Sequence, residues 1–487
     1  MTDSKEPDSQ GSKNSVFQNS LSYLAVNLIK SFGFFLILPI YTRFLTLEEY
    51  GLLLTLNSLA LFLGSLFTLS LRSTVVRFFF EHDKNSIEHK KMYGTIFLSI
   101  FSLLLFGVLV LFLSKDMTLI KIFELSKLPF EKYYLYLFLL MLFEPFFHLI
   151  QSYMVAKEDV KKFSIQQLGQ FFFIHTIGLY CVIQLGMKEI GILWGQIGGH
   201  LFFFLYSMLY LLRNFKPCID GGVLKKCLSY SLPLVPTSVV RLLPGVVDKV
   251  FLNNMISVAS SGGYGIGGRV GSVFDILSTN FSKAYAPWFF KQSSRGELKS
   301  SEVKELGEKI VLMFCLIGVM ASFLSEPLFD LVFPASYKVG WLVLPILAFH
   351  SIFNLIKTLF LTHLQNDISK IKYATITTYF YVPCMLILSY FSIKAFGLIG
   401  PAVGLLGARF LSSFVMLYYA KTRTQTLDFS VVKLYFYALF ALSISLLSYL
   451  EFSYDSFFKV FISLLALGAF VIVGKDEIQV LVKKVLR

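Results

Sequence analysis

Seven basic residues lie inside stretches of sequence that are otherwise apolar enough to cross a bilayer: Lys30, Arg241, Lys249, Arg269, Lys283, Lys357 and Arg409. A charge held near the bilayer centre costs roughly 2.5–3.5 kcal/mol, so such a side chain normally faces a cavity or a partner. Three acidic residues in such stretches are their candidate partners, Glu144, Asp248 and Asp275, and pairing with these three would leave four positive charges over. This excess predicts an anionic ligand that enters the membrane interior.

Three of these cations are the deepest candidates for binding that ligand. Lys30 and Arg409 lie near the middle of their stretches, about 15 Å from either end at 1.5 Å per residue, too far to reach the headgroups easily. Arg241 is flanked by prolines, which bend a helix and free backbone carbonyls beside a binding site. The alternative for Lys30 and Arg409 is a structural hydrogen bond to a kinked backbone nearby.

The other four cations are closer to the ends of their stretches or less clearly placed. We expect Arg269 and Lys357 to join the binding set. Lys249 and Lys283 lie where a long side chain can extend to the headgroups, and for Lys249 and Arg269 that anchoring role is a strong alternative.

The three acidic residues are candidates for ion coupling or for charge pairing. Glu144 precedes Pro145 in an apolar stretch, and such an acid either binds a proton or sodium ion or pairs with a base such as Lys30. Asp248 comes seven residues after Arg241, about 10 Å away along an unbroken helix, which excludes a direct pair between them. Asp275 either pairs with a lysine of another helix or binds a coupling ion.

The elements that must position these side chains are membrane helices. The chain of 487 residues is 55% hydrophobic and only 15% charged, whereas soluble domains carry about 25% charged residues. Its net charge of +14 is spread over short connections, which argues against nucleic-acid binding. About 14 segments are long enough to span: 17–40, 50–71, 92–113, 133–155, 163–185, 190–212, 228–252, 264–289, 310–332, 341–363, 373–393, 397–419, 434–450 and 456–473.

The charges outside the spans predict the orientation in the membrane. With the N-terminus inside, cytoplasmic connections and tails hold 28 Lys or Arg and the outer connections hold nine. The excess of positive charge on cytoplasmic loops therefore places both termini in the cytoplasm. The run Gly263–Gly268 matches the dinucleotide-binding pattern G-x-G-x-x-G, but no strand precedes it and a membrane span follows, so the required context is absent. There is no Walker or H-E-x-x-H motif, and we expect neither a cofactor nor a metal.

The sequence repeats itself at an offset of about 206–214 residues. Gly191–Trp194 opens the sixth span and Gly397–Gly400 opens the twelfth, while Tyr50-Gly51 before the second span matches Tyr264-Gly265 at the eighth. Six helices per copy predict two parallel bundles around a cavity. The predicted organisation is a cytoplasmic tail (1–16), two six-helix bundles (17–214 and 215–422), and two extra helices with a cytoplasmic tail (423–487).

Several short motifs carry a family resemblance: Leu38–Leu45 (LPIYTRFL), Glu48–Gly51 (EEYG), Arg77–Phe79 (RFF), and, in the second half, Tyr264-Gly265 and Pro287–Phe290 (PWFF). They resemble the polysaccharide (O-antigen, Wzx-type) flippases of the multidrug/oligosaccharidyl-lipid/polysaccharide exporter superfamily. The resemblance implies two bundles arranged as a V, as in MATE transporters, and alternating access. It also implies transport of an isoprenoid-diphosphate-linked oligosaccharide across the bacterial cytoplasmic membrane.

The resemblance also implies where the diphosphate binds. In that family, cations of the first, second, seventh and eighth spans line the cavity; here Lys30, Arg241 and Arg269 lie in corresponding spans. The second span has no central charge, and Arg72 and Arg77 lie at its cytoplasmic end instead. The expected partners are the lipid-linked glycan, membrane lipids, an H+ or Na+ counter-ion, and other membrane proteins of polysaccharide assembly.

Three other functions stay open from the sequence. A flippase for the lipid-linked peptidoglycan precursor would use the same fold and the same chemistry. A drug/cation antiporter of the superfamily should have an acidic cavity rather than a basic one. A membrane glycan polymerase or ligase would act on the same substrates, but the longest outer connection, about 114–132, shows no evident catalytic set.

Overall fold

The computed structural model describes residues 9–83, 86–114, 120–295, 300–366, 370, 372–423, 431–449, 459, 461–466 and 468–469. Within these residues the chain is α-helical and contains no β-strand. The helices are α1 (Ser9–Phe44), α2 (Leu47–Phe67), α3 (Arg72–Arg77), α4 (Ile87–Leu113), α5 (Ile120–Leu125), α6 (Phe130–Ala156), α7 (Val160–Ile183), α8 (Lys188–Asn214), α9 (Gly221–Ser231), α10 (Val235–Met255), α11 (Val258–Ser294), α12 (Ser300–Val332), α13 (Leu344–Gln365), α14 (Lys372–Phe396), α15 (Gly400–Arg423) and α16 (Val431–Leu446).

The predicted spans correspond closely to these helices. Each of the first thirteen overlaps one of the long helices, and half of the fourteenth, 456–473, falls outside the described residues. The described residues contain ten stretches long and apolar enough to cross a membrane, one of which includes both α14 and α15. Helices α7 and α11 are not among the ten; α7 carries three glutamines, and α11 is rich in glycine and serine. The chain is an all-α, multi-pass membrane protein, as predicted.

The chain divides into two compact units, Met1–Val246 and Val247–Arg487. The division falls within α10, later in the chain than the predicted bundle boundary between 214 and 215. The two six-helix bundles with two additional helices stay a prediction.

In the first unit, the segment between α8 and α9 is fixed against α4. A Cβ atom on Gly94 would lie 1.8 Å from the backbone oxygen of Lys216, so only glycine allows this approach. The Thr95 hydroxyl donates to the carbonyl oxygen of Cys218 and accepts from the amide of Asp220, both at 3.1 Å. The connection and α9 therefore belong to the first unit.

Prolines interrupt the regular α-helical geometry of the seventh predicted span. Helix α9 ends at Ser231, a 3-10 turn follows over Leu232–Leu234, and α10 begins at Val235. Pro233 lies in that turn and Pro244 lies inside α10. The span is thus helical throughout, with a 3-10 turn at Pro233 between two α-helical parts.

In the second unit, α13 is the central helix. It packs against α11, α12, α15 and α16, and most of its side chains are buried. A neighbouring core cluster joins Leu252, Tyr264, Val343, Ile346, Ile393 and Ala402. This packing brings the middle of α13 against α11 and α15, where several of the predicted site residues lie.

Candidate functional site

A cavity of about 510 Å³ lies in the first unit, where α2, α3 and α6 meet the first turns of α10. Its wall combines apolar side chains with hydroxyls, two arginines, a glutamate and a histidine. The polar lining residues are Ser65, Thr68, Ser70, Arg72, Ser73, Glu144, His148, Thr237, Ser238 and Arg241. We call this space the Arg241 cavity.

A sharp turn after α2 brings Arg72 to the cavity. Leu69 and Ser70 both have left-handed backbone angles, with φ of 48° and 57°, which non-glycine residues seldom adopt. The Ser70 hydroxyl donates a 3.0 Å hydrogen bond to Ser238 Oγ on α10, which joins the turn to the proline-rich helix. Arg241 follows Ser238 by one helical turn, so both arginines point toward the same space.

The two arginines have no acidic partner among the residues that the structure describes: no ion pair to Arg72 or Arg241 occurs there. Both side chains line the cavity and are accessible from it. Arg72 lies outside the candidate spans, and enclosure by the protein, followed by the charge of Arg241, lowers its pKa. Since a guanidinium stays protonated in proteins, this repulsion favours an anion between them.

Glu144 and His148 form the opposite wall of the Arg241 cavity. Glu144 Oε1 lies 3.7 Å from His148 Nε2, one turn along α6. The charge of Lys30 also acts on Glu144. Lys30 itself is half-buried in α1 and is not part of the cavity lining. The structure thus places Glu144 and Arg241 in one site, with Lys30 close enough to act electrostatically.

A second group of charges lies in the middle of the second unit. The Arg409 guanidinium sits over the ring of Tyr381, 4.0 Å from its centroid, and its Nε donates a 3.4 Å hydrogen bond to His350 Nε2. Lys357 is two turns beyond His350 on α13, and its charge and that of Arg409 both act on that histidine. Lys357 and Arg409 are therefore neighbours.

The remaining predicted site residues also lie in the second unit. Asp275 on α11 accepts a 2.5 Å hydrogen bond from the Ser351 hydroxyl, and the charge of Arg409 acts on it. Asp248 is 3% exposed and accepts a 3.1 Å hydrogen bond from the Tyr264 hydroxyl. Arg269 is exposed on α11, and its charge acts on Lys249. For Lys283 nothing beyond its position in α11 is described.

Sequence reasoning did not place Arg72 in the site. The one signal was its position just beyond an apolar span, which also fits a residue at the membrane surface. The described residues contain no group of three or more His, Cys, Asp or Glu arranged to hold a metal ion.

Comparison with known sequences identifies the family. The family described as polysaccharide biosynthesis protein matches residues 16–293, which is more than half of the chain. A protein of the Lsg locus of Haemophilus influenzae is 24% identical over 314 residues, covering 63% of this chain and 73% of that protein. The motifs in the first eighty residues lie within the matched region.

Comparison with solved structures identifies the fold. The inward closed conformation of the lipid II flippase MurJ superposes with a TM-score of 0.70 at 16% identity, covering 95% of this chain and all of that one. An inward-facing multidrug resistance MATE family transporter of the MOP superfamily gives a TM-score of 0.61 at 14% identity, with 83% and 94% covered. The chain therefore shares its fold with these two transporters. The family resemblance seen in the sequence is thereby confirmed, and the chain belongs to the polysaccharide biosynthesis protein family.

Proposed function

We propose that this protein is a flippase that moves an isoprenoid-diphosphate-linked oligosaccharide from the inner to the outer leaflet of a bacterial cytoplasmic membrane. It would work by alternating access and supply surface polysaccharide, such as the O-antigen of lipopolysaccharide, together with other membrane proteins of that assembly. The proposal takes Lys30, Arg241, Arg269, Lys357 and Arg409 as the substrate-binding set and adds Arg72.

The observation that carries the proposal is the pair of arginines in the Arg241 cavity, which have no acidic partner in the part of the chain that the structure describes. Guanidinium groups bind phosphate oxygens through paired, charge-assisted hydrogen bonds. The surrounding hydroxyls, including Ser70 and Ser73, add further donors. A volume of about 510 Å³ is within the range of small-molecule sites and fits a diphosphate with part of a sugar, while the isoprenoid tail stays in the lipid.

The energy for transport has two candidate sources. Outward movement of an anion from a negative-inside cytoplasm is favourable by about 2.3 kcal/mol per charge per 100 mV. Alternatively, a proton or sodium ion bound at Glu144, Asp248 or Asp275 drives the cycle. Glu144 is the candidate in the same cavity as Arg241, so binding of a cation there and of the substrate would be coupled electrostatically.

The proposal is tested by replacing the two arginines in a deletion strain that carries the gene on a plasmid. Arg72→Gln and Arg241→Gln should each reduce surface glycan, roughly tenfold or more, because hydrogen bonds to charged groups contribute about 1.5–3 kcal/mol. Arg213→Gln is the matched control, since Arg213 is exposed at the end of α8 and outside the cavity lining. Normal glycan display by the double variant, at equal protein level, would overturn the proposal.

A flippase for the lipid-linked peptidoglycan precursor is the second candidate, favoured by the close superposition on MurJ. The lipid-linked intermediate that accumulates in a deletion strain, and the leaflet in which it accumulates, distinguishes the two. Drug resistance on overexpression, with normal surface glycans after deletion, would favour a drug antiporter. Glycan polymerisation or transfer by the purified chain would favour an enzyme.

A further inference from the structure

A patch of basic and aromatic side chains lies at one end of the α14–α15 pair in the second unit. Helix α14 begins at Lys372 and α15 ends at Arg423, so these two residues lie at the same end of two helices that pack against each other. The stretch that is apolar enough to cross a membrane also begins and ends at them. With Tyr373 and Tyr419 they form a group that we call the Tyr373 patch. The patch therefore lies at the membrane surface, at the level of the lipid headgroups.

Both cations of the patch converge on one aromatic ring. Lys372 Nζ lies 5.4 Å and the Arg423 guanidinium carbon lies 5.6 Å from the centroid of the Tyr373 ring. The Tyr419 ring stacks on the Tyr373 ring, with centroids 4.6 Å apart, and so holds it against α15. A ring face attracts a cation, while two like charges at the same ring repel each other. The patch thus presents two positioned charges whose repulsion a bound anion would relieve.

The two cations of the Tyr373 patch are open to a ligand. Lys372 and Arg423 are exposed, and neither makes an ion pair in the part of the chain that the structure describes. Neither residue lines the Arg241 cavity. Basic residues that only set the orientation in the membrane need no aromatic contacts, because that rule depends on the number of charges and not on their geometry. Orientation alone therefore does not account for the convergence of both cations on Tyr373.

An apolar surface continues from the patch along α14. On the helix face that begins with Lys372, the exposed side chains further along are those of Ile376, Tyr379 and Ile387. In a helix that crosses the bilayer, such exposed apolar side chains lie at the depth of the hydrocarbon core. A lipid whose headgroup bound at the patch would therefore have its acyl chains beside this face.

We propose that the Tyr373 patch binds the headgroup of an anionic phospholipid. Lys372 and Arg423 would donate to the phosphate oxygens, and Tyr373 would hold both cations in position. Basic residues at the end of a membrane helix are attracted to anionic lipid. The connections at this end of α14 and α15 are predicted to be cytoplasmic, so the lipid would belong to the cytoplasmic leaflet. The inference does not depend on the proposed flippase function.

The test titrates lipid onto the full-length protein in detergent micelles and counts bound lipid by native mass spectrometry. The probes are dioleoyl phosphatidylglycerol and dioleoyl phosphatidylcholine, which share their acyl chains and differ in net charge. We expect wild-type protein to bind the first phosphatidylglycerol molecule roughly tenfold or more tightly than phosphatidylcholine, because two cations contribute.

Lys372→Gln and Arg423→Gln should each weaken binding of phosphatidylglycerol about fivefold and leave binding of phosphatidylcholine unchanged. Arg423→Lys should keep most of the affinity, since it keeps the charge. Tyr373→Leu should weaken binding about threefold by releasing both cations, whereas Tyr373→Phe keeps the ring and the affinity. Lys421→Gln is the matched control: Lys421 is exposed at the same end of α15, but it lies about 200° around the helix from Arg423.

Three outcomes would contradict the inference. Equal affinity of wild-type protein for the two lipids would overturn it. A loss in Lys421→Gln as large as in Arg423→Gln would also overturn it, because surface charge in general would then explain the binding. Farnesyl diphosphate is the third probe: if Lys372→Gln and Arg423→Gln weaken its binding as strongly as that of phosphatidylglycerol, the patch receives an isoprenoid diphosphate instead. The two variants are independent, so misfolding of one leaves the other to decide.

Discussion

At the scale of single residues, two adjacent ion pairs connect three helices of the first unit. Glu189 is 2% exposed in the first turn of α8. Its Oε1 accepts from Lys132 Nζ at 2.6 Å and from the Tyr133 hydroxyl at 2.8 Å, both on α6. Next to it, Lys188 Nζ donates to Glu49 Oε1 of α2 at 2.6 Å. These contacts hold the ends of α2, α6 and α8 together.

Glu189→Ala should therefore destabilise the protein. The substitution leaves the fully buried Tyr133 hydroxyl without its acceptor, which costs about 1–3 kcal/mol, and lowers the Tm of the purified protein in intrinsic-fluorescence melts. Glu131→Ala on α6 is the control, because Glu131 is exposed. Adding Tyr133→Phe should recover part of the loss; no change in Tm for Glu189→Ala would show that the pair contributes nothing.

At the scale of elements, glycines set how closely neighbouring helices approach. A Cβ atom on Gly195 would lie 2.6 Å from backbone atoms of α7, and one on Gly404 would lie 2.5 Å from the Ser389 backbone of α14. Small residues at such spacing let helix backbones pack in direct contact. Gly191 and Gly195 on α8 and Gly400 and Gly404 on α15 have the same four-residue spacing.

Gly195→Ala and Gly404→Ala should lower the Tm, because the added methyl group forces each helix pair apart. The controls are one turn away: at Gly198 and Gly407 the new Cβ would meet only side-chain atoms, at 3.4 Å and 3.2 Å. There alanine should be neutral or stabilising, since it favours a helix by about 1 kcal/mol over glycine. Equal losses at all four positions would contradict this explanation.

At the scale of the whole molecule, the distribution of basic residues predicts the orientation in the membrane. The connection between α7 and α8 is predicted to lie outside, and the connection between α8 and α9 is predicted to lie in the cytoplasm. Gln184 and Lys216 are exposed in these two connections. Both predictions follow from charge alone, because basic loops are retained on the cytoplasmic side.

Orientation is measured by labelling single cysteines in a chain whose five native cysteines are replaced. A membrane-impermeant maleimide should label Gln184→Cys in intact spheroplasts and label Lys216→Cys only after permeabilisation. A cysteine introduced at Lys338, on another connection that is predicted to lie outside, gives a second test of the same orientation. The reverse pattern would show that both termini face outward and that the predicted direction of transport is wrong.

The sequence by itself determined the class of the protein, its spans and its family. Burial in lipid depends on composition over about 20 residues, so it can be read without knowing any contact. The excess of basic over acidic residues among the site candidates is also known from the sequence, because counting residues requires no geometry. The interruption of α-helical geometry near Pro233 was also predictable, because proline acts on its own backbone.

Only the tertiary structure decided which of these charges share a site. Arg72 reaches the Arg241 cavity through a turn with two left-handed, non-glycine residues, Leu69 and Ser70. Such backbone angles could not be predicted from the residue types. Arg409 meets Tyr381 because α14 and α15 pack closely through Gly404. Contacts between residues distant in sequence depend on how helices pack, and hydrophobic pattern alone does not specify that packing.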